Sequence, residues 1–235
     1  MLKIINLCKN YGKNKVLKNL NLEIEDGEKV ALIGTNGSGK STLLEVICGI
    51  IKKNSGDIYI DNLNINIKKN KNKLKQIIGY MPQFFSLFND LTVKENLEYL
   101  GAIYNVKKDR INQVLNECQL NEKASYLAKN LSGGYKQLLS LAGSIIHSPK
   151  LLILDEPTSA MDPVFRIKFW DIIKTLNLKG TTIIVTTHYM EEIAECSYLC
   201  CLSNGEIVLK QETSSLDISK DTMKFKKILD MYLRK

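Results

Sequence analysis

One nine-residue segment constrains the fold of this chain more than any other feature. Residues 34–42 follow the pattern Gly-x-x-x-x-Gly-Lys-Ser-Thr, between an apolar run at residues 29–33 and a segment with helical spacing of leucine and isoleucine. Glycines let the backbone curl around a polyphosphate, so that successive N–H groups and the start of the helix face one anion. The pattern predicts an α/β fold with a phosphate-binding loop formed by Gly34, Thr35, Asn36, Gly37, Ser38, Gly39, Lys40, Ser41 and Thr42.

Two side chains of this loop carry specific chemistry. Lys40 is expected to place a full positive charge on the β- and γ-phosphates, and the Ser41 hydroxyl is a candidate ligand for Mg²⁺. Such a loop specifies a nucleoside triphosphate but leaves kinases, GTPases, helicases and transport ATPases open. A second element is needed to choose among them.

Two adjacent carboxylates follow another apolar run, at residues 151–154. Open α/β sheets bind their ligands at the carboxyl ends of the strands, where Asp155 and Glu156 would lie. We expect Asp155 to hold Mg²⁺ through water. Side chains alternate along a strand, so Glu156 points elsewhere and is predicted to act as the general base on an attacking water.

A third segment, Leu-Ser-Gly-Gly-Tyr-Lys-Gln at residues 131–137, narrows the choice. As a bare pattern it is more typical of a flexible turn. Together with the other two elements it resembles the signature motif of ATP-binding cassette (ABC) transporter ATPases, and the resemblance runs from Tyr11 to about residue 208. Ser132, Gly133 and Gly134 would open a helix whose N-terminus accepts a γ-phosphate.

The resemblance implies roles for four further residues. Tyr11 resembles the aromatic residue that stacks on adenine, although on its own it is nearly as compatible with a structural place at a strand end. Gln83 resembles the glutamine that contacts Mg²⁺ and the water and couples to a membrane partner. Asp162 resembles the residue of the loop that contacts the opposite subunit, and His188 the switch histidine that reaches the γ-phosphate.

The same resemblance implies ATP and Mg²⁺ as cofactors and a head-to-tail dimer with a second copy or a paralogous ATPase. Each ATP would lie between the Lys40 face of one subunit and the Ser132 face of the other. An integral-membrane permease is the implied partner, which predicts a cytoplasmic protein at the inner face of the cell membrane.

Residues 79–97 and the segments around Asp162 and His188 are similar to ATPases that power export of drugs, antibiotics, polysaccharides or lipids through a separate permease. An import ATPase and a soluble ABC-type ATPase acting on ribosomes or nucleic acid are the alternatives. A regulatory module without turnover is disfavoured because Glu156 and His188 are both present. Two departures stand out: Leu138 occupies a position where the family usually has arginine, and Ala160 one where it usually has glycine.

Composition argues against several other classes. The 33 basic and 25 acidic residues give a net charge of +8, but the charge is scattered apart from five lysines in residues 68–75. No aromatic residues interleave there, so we predict a solvated loop and no nucleic-acid partner.

The six cysteines form no Cys-x-x-Cys pair and are predicted to be buried free thiols. No uncharged stretch is long enough to cross a bilayer.

The pattern of elements predicts a P-loop NTPase core with a mostly parallel sheet, an N-terminal antiparallel β subdomain and an inserted helical subdomain. The cassette is assigned to residues 1–210, with the helical subdomain at about 84–148, and a helical tail to residues 211–235. Predicted strands lie at residues 4–8 (an edge strand), 20–24, 29–33, 57–60, 151–154 and 183–186, and at 198–202 and 206–209, which form a hairpin. A second hairpin is predicted at Asp26-Gly27, and helices after Gly39 (with Leu43, Leu44, Ile47 and Ile50) and from Pro163 (with Ile167, Trp170, Ile173 and Leu176).

Overall fold

A computed structural model of the chain describes residues 1–159 and 161–216. Its strands are β1 (Leu2–Tyr11), β2 (Asn14–Ile24), β3 (Lys29–Ile33), β4 (Ser55–Ile60), β5 (Leu63–Asn64), β6 (Ile78–Met81), β7 (Leu151–Leu154), β8 (Thr182–Thr186), β9 (Tyr198–Ser203) and β10 (Glu206–Glu212). Its α-helices are α1 (Lys40–Ile47), α2 (Lys71–Ile77), α3 (Val93–Tyr104), α4 (Lys108–Glu117), α5 (Gly133–Ile145), α6 (Pro163–Leu178) and α7 (Met190–Ala194). Ala160 and residues 217–235, the larger part of the predicted helical tail, lie outside the described residues.

The chain divides into two compact units. The first comprises Met1–Lys75 and the described residues from Thr182 onward, and the second comprises the described residues between Gln76 and Thr181. Helices α3, α4 and α5 lie in the second unit, inside the range of about 84–148 predicted for a helical subdomain. The domain boundaries themselves stay a prediction. None of the helices formed by the described residues is long and apolar enough to cross a membrane.

The first unit contains an antiparallel sheet with the strand order β2-β1-β4-β5. Leu2 of β1 lies opposite Ile24 of β2 on one side and Ile60 of β4 on the other. The N-terminal strand is therefore interior, and the prediction of an edge strand was wrong. The backbone of β1 pairs with β2 and also with β4, which lies more than forty residues further along the chain, and no local pattern reveals that second partner.

The first unit also holds parallel strands, because β3 pairs in parallel with both β8 and β9. All five residues of β3 are buried, including Lys29 at its start, as is typical of a parallel strand covered on both faces. The hairpin predicted at Asp26-Gly27 was wrong, since β2 pairs with β1 and not with β3. This turn instead carries the chain from one sheet to the other, and the Gly27 N–H donates to the Thr182 hydroxyl over 2.9 Å. The predicted hairpin of β9 and β10 is confirmed.

Two helical segments of the first unit differ from expectation. Helix α1 ends at Ile47, and Ile50, which was placed on the helix, is 57% exposed beyond it. Gly49 has a left-handed φ of +69°, the usual conformation of a glycine that ends a helix. The lysine-rich segment Lys68–Asn70 with α2 is helical and not a loop. Burial of Leu74 gives that helix an inward face, while its lysines stay exposed.

The second unit is built on the parallel pair β6 and β7 and on helices α3 to α6. Helix α6 starts at Pro163, as predicted, and buries Trp170, Ile173 and Leu176. Ile167, expected on the buried side, is 65% exposed, so the prediction for this residue was wrong. Parallel strands in both units, an antiparallel sheet and surrounding helices confirm the predicted α/β fold class.

The cysteines are free thiols, four of them buried and two, Cys8 and Cys48, half-buried. Burial raises the pKa of Cys196, Cys200 and Cys201 to about 12. These three thiols are therefore protonated and poorly nucleophilic at neutral pH.

The core of the second unit can be tested at Phe169, whose side chain is completely buried in α6. Phe169→Ala leaves a cavity and should lower the free energy of unfolding by about 3–5 kcal/mol, measured by urea denaturation. Leu178→Ala is the matched control, because Leu178 lies in the same helix and is 81% exposed. It should change stability by less than about 0.5 kcal/mol. Equal effects of the two substitutions would contradict the assigned burial.

Candidate nucleotide-binding site

The phosphate-binding loop lies between β3 and α1, as residues 34–42 predict. Gly37 and Gly39 have left-handed φ of +79° and +105°, a region that favours glycine. A Cβ at Gly34 would collide with the carbonyl oxygen of Leu202 on β9. The loop is therefore tightly curled, and its backbone lies directly against a neighbouring strand.

Lys40 is 6% exposed, and its ammonium group lies inside this curl. Its Nζ donates to the carbonyl oxygen of Gly34 over 2.8 Å and of Thr35 over 3.3 Å. No described side chain caps the start of α1, and the buried Ser38 hydroxyl finds no hydrogen-bond partner among the described residues. The first N–H groups of the helix, the ammonium and the hydroxyl are donors of the kind that a polyphosphate requires.

Three other predicted residues of the loop lie on its outer side or at its end. Asn36 and Ser41 are exposed, and Thr42 is half-buried in the first turn of α1. The Ser41 hydroxyl is thus accessible immediately after Lys40, which suits a hard cation that bridges phosphate oxygens.

Tyr11 and His188 also belong to the first unit. Tyr11 ends β1 with its ring 50% exposed, and the Lys9 ammonium lies 4.7 Å from the ring centroid. His188 follows β8 and is exposed. Thr187, the residue before His188, is fixed by two hydrogen bonds. Its hydroxyl donates to the buried Glu192 carboxylate and accepts the Tyr189 N–H over 3.0 Å.

The carboxylates lie at the carboxyl end of β7 in the second unit, as predicted. Asp155 is 3% exposed, and its N–H donates to the Met81 carbonyl over 2.9 Å, which aligns the ends of β7 and β6. Glu156 has a left-handed φ of +45°, which is uncommon for a residue with a long side chain. The Gln83 amide nitrogen donates to Glu156 Oε2 over 3.0 Å. Two residues far apart in the sequence are thereby brought together, and the Glu156 carboxylate is oriented.

The signature segment starts α5. Ser132 and Gly133 are exposed, and no described side chain caps this helix N-terminus either. Gly134 is buried against the ring of Phe165. Asp162 is exposed at the start of α6, where its carboxylate accepts the Val164 N–H over 3.0 Å and the Phe165 N–H over 3.1 Å.

Leu138, the described departure from the family pattern, lies on a buried face of α5. Leu138 is 1% exposed in α5, where an apolar side chain is well placed. Gln137 beside it is also buried, and its amide oxygen has no hydrogen-bond partner among the described residues.

Two supporting residues were not predicted. Asn96 is fully buried in α3 and binds the loop that follows Gln83, accepting the Phe88 N–H over 2.9 Å and donating to the Phe88 carbonyl over 3.0 Å. A single polar residue at a buried position of an amphipathic helix is the only local signal for such a role.

His147 supports the other end of β6. Its ring stacks on Tyr104 at 4.0 Å, and its Nε2 lies 2.9 Å from the carbonyl oxygen of Ile78, the first residue of the strand that leads to Gln83. Burial lowers the pKa of His147, so the imidazole is neutral and Nε2 carries the proton that it donates to the carbonyl.

The comparisons with known proteins agree with this geometry. Residues 17–159 match the family described as ABC transporter. The linearmycin resistance ATP-binding protein LnrL of Bacillus subtilis is 37% identical over 213 residues, which cover 88% of this chain and 68% of that protein. The lantibiotic transport ATP-binding protein SrtF of Streptococcus pyogenes is 35% identical over 213 residues, covering 90% and 91%. The chain belongs to the ABC transporter family.

One relative is much longer. The probable multidrug ABC transporter ATP-binding protein YbhF of Escherichia coli is 35% identical over 206 residues, which cover 86% of this chain and 35% of that protein. The chain therefore spans about a third of the length of this relative.

Solved structures give the same fold. The dimeric post-hydrolysis state of the ATP-binding cassette MJ0796 with ADP and Pi has a TM-score of 0.83 at 30% identity, covering 91% of this chain and 99% of that one. The cbiO1 protein of Clostridium perfringens, part of an ABC transporter complex, has a TM-score of 0.84 at 29% identity, covering 99% and 95%. Within its family the chain is an ATP-binding cassette, the ATPase component.

The role of Lys40 can be measured directly by nucleotide binding. Lys40→Ala removes the ammonium from the loop and should weaken ATP binding roughly ten- to hundredfold, the usual contribution of a hydrogen bond to a charged group. Lys75→Ala, which removes an exposed lysine of α2, should leave the affinity unchanged. Titration with a fluorescent ATP analogue distinguishes the two, and equal affinities for both variants would count against the phosphate-binding loop.

Proposed function

We propose that this cassette hydrolyses ATP to power export of a small molecule, a lipid or a polysaccharide through a separate membrane permease. The observation that carries the proposal is the Gln83–Glu156 hydrogen bond beside the buried Asp155. A loop that binds phosphate needs no such arrangement, whereas hydrolysis needs an oriented base for water.

Glu156 would accept the proton of the attacking water. Its half-buried carboxylate, oriented by Gln83, is a fixed acceptor, so that less reorganisation is needed when the water attacks. Lys40 would neutralise charge on the β- and γ-phosphates, and His188 would contact the γ-phosphate. The first N–H groups of α1 would bind the remaining phosphate oxygens.

Mg²⁺ would be held by oxygen ligands, the donors that it prefers. We assign the Ser41 hydroxyl, the Asp155 carboxylate and the Gln83 amide oxygen to it, since the Gln83 amide nitrogen is engaged with Glu156. When bound, the ion would supply charge neutralisation on the phosphates and a fixed orientation for them.

A head-to-tail dimer is proposed as the active form, made of two copies or of this chain and a paralogous ATPase. The exposed N-terminus of α5 at Ser132 and Gly133 supports this arrangement, because an uncapped helix start attracts a phosphate that the same subunit need not hold. Asp162 is exposed at the start of α6 and would contact the partner subunit. The related cassette MJ0796 was solved as a dimer.

The assignment to export rests on the relatives. Their names describe linearmycin resistance, lantibiotic transport and Nod factor export. A peripheral position on the cytoplasmic face of the cell membrane would follow, with the permease supplying the pathway and the substrate specificity.

Glu156→Gln tests the chemistry. Gln keeps the size of the side chain but cannot accept the proton, so kcat for ATP hydrolysis should fall roughly 10²- to 10⁴-fold while ATP binding persists. Glu122→Gln, which alters an exposed glutamate of the second unit, should retain full turnover in the same phosphate-release assay. Hydrolysis by the Glu156 variant at the parent rate would remove Glu156 from the proposed role.

The partner is tested in the source cell. Affinity-tagged protein, purified from gently solubilised membranes, should bring down a multi-span membrane protein identified by mass spectrometry. Glu156→Gln should retain it in the presence of ATP. Recovery of an import permease with a binding protein would overturn export, and recovery of ribosomal or nucleic-acid partners without a permease would overturn transport altogether.

A further inference from the structure

Helices α5 and α6 meet at their first turns through one aromatic ring. A Cβ added to Gly134 would lie 2.5 to 2.8 Å from three atoms of the Phe165 ring, closer than side chains approach one another. The neighbouring Tyr135 ring packs edge-on against Phe165, with 4.8 Å between centroids and planes 76° apart. The ring of Phe165 therefore fills the place where a side chain at position 134 would be.

Backbone conformation does not explain the glycine at this position. Gly134 is the second residue of α5 and, unlike Gly37 or Gly39, has no left-handed φ. Apart from proline, glycine is the residue least suited to a helix, and alanine would adopt the same backbone more readily. The nearest atoms to an added Cβ all belong to Phe165, so the ring leaves no room for a side chain at position 134.

Phe165 is itself attached to the Asp162 loop. The Asp162 carboxylate accepts the backbone N–H of Phe165 over 3.1 Å, which fixes the residue relative to the start of α6. A continuous series of contacts thus runs from Asp162 through the Phe165 ring to Gly134 and the exposed N–H groups at the start of α5.

The opposite ends of the two helices are also tied. Arg110 of α4 donates to the Ile145 carbonyl at the end of α5 over 3.0 Å and to Glu117 over 3.0 Å. Lys179, just after α6, donates to the same Glu117 over 3.1 Å. With both far ends joined to α4, the Phe165 contact links the two near ends.

We infer that Phe165 is a positioning residue, which seats its ring on Gly134 and so sets the phosphate-accepting start of α5 relative to the partner-contacting Asp162. The inference rests on the proposed function, in which both helix starts face the second subunit. Phe165 touches neither nucleotide nor reacting atoms. Its effect is expected on formation of the ATP-bound dimer and on kcat, and not on ATP binding by the loop around Lys40.

The test is a double-mutant cycle in the Glu156→Gln background. ATP-dependent dimer formation is measured by light scattering after size-exclusion chromatography, and ATP affinity of the monomer by titration. Gly134→Ala should weaken dimer formation roughly tenfold or more, because its methyl group collides with the ring, and Phe165→Ala should weaken it by less. In the double variant the methyl group has room, so dimer formation should recover above that of Gly134→Ala alone. All variants should bind ATP within about twofold of the parent.

Leu178→Ala is the control, since it removes an exposed apolar side chain from the far end of the same helix. It should leave dimer formation unchanged. A double variant that dimerises as poorly as Gly134→Ala overturns the inference. So does a Phe165→Ala variant with parental dimer formation in the Glu156→Gln background and, with Glu156 restored, with parental kcat. If the Glu156→Gln parent itself forms no dimer with ATP, the proposed function fails and the inference with it.

A second measurement serves if Gly134→Ala does not fold. Amide hydrogen exchange of the Phe165→Ala variant without nucleotide should rise in residues 132–137 and stay unchanged at the end of α5, where Arg110 binds. Unchanged exchange at residues 132–137, or an equal rise along all of α5, would show that the ring does not position this helix start.

Discussion

The candidate site depends on unsatisfied backbone N–H groups at the starts of α1 and α5. No described side chain caps either helix start. An anion can use them only if the preceding chain curls closely, which explains the glycines before α1 and the contact of Gly34 with the backbone of Leu202. Close approach in turn needs a rigid support. The buried strand β3, paired on both sides with parallel strands, supplies it.

Much of the fold could be predicted because its elements are locally encoded. The apolar runs of β3, β7 and β8 mark strands buried on both faces, and Pro163 marks the start of α6. Pairing was harder. The turn at Asp26-Gly27 has the residues of a hairpin, yet the partners of β3 lie more than a hundred residues further along the chain, and no local pattern identifies them.

The residues of the candidate site also differ in whether the local sequence could predict them. Lys40, Asp155 and Glu156 were predicted because their spacing relative to a strand or helix end carries the chemistry, and the structure adds the Gln83 contact that orients Glu156. Residues that contact distant segments, Asn96 through hydrogen bonds and Phe165 through packing, leave almost no trace in the sequence. Their partners are a loop and a helix reached only after folding.

The left-handed backbone at Glu156 has an evolutionary consequence. Asparagine tolerates this conformation better than glutamate does, so the proposed general base occupies a position where a residue incapable of that role fits more comfortably. Drift at this position would favour an inactive but well-folded descendant that still carries the phosphate-binding loop.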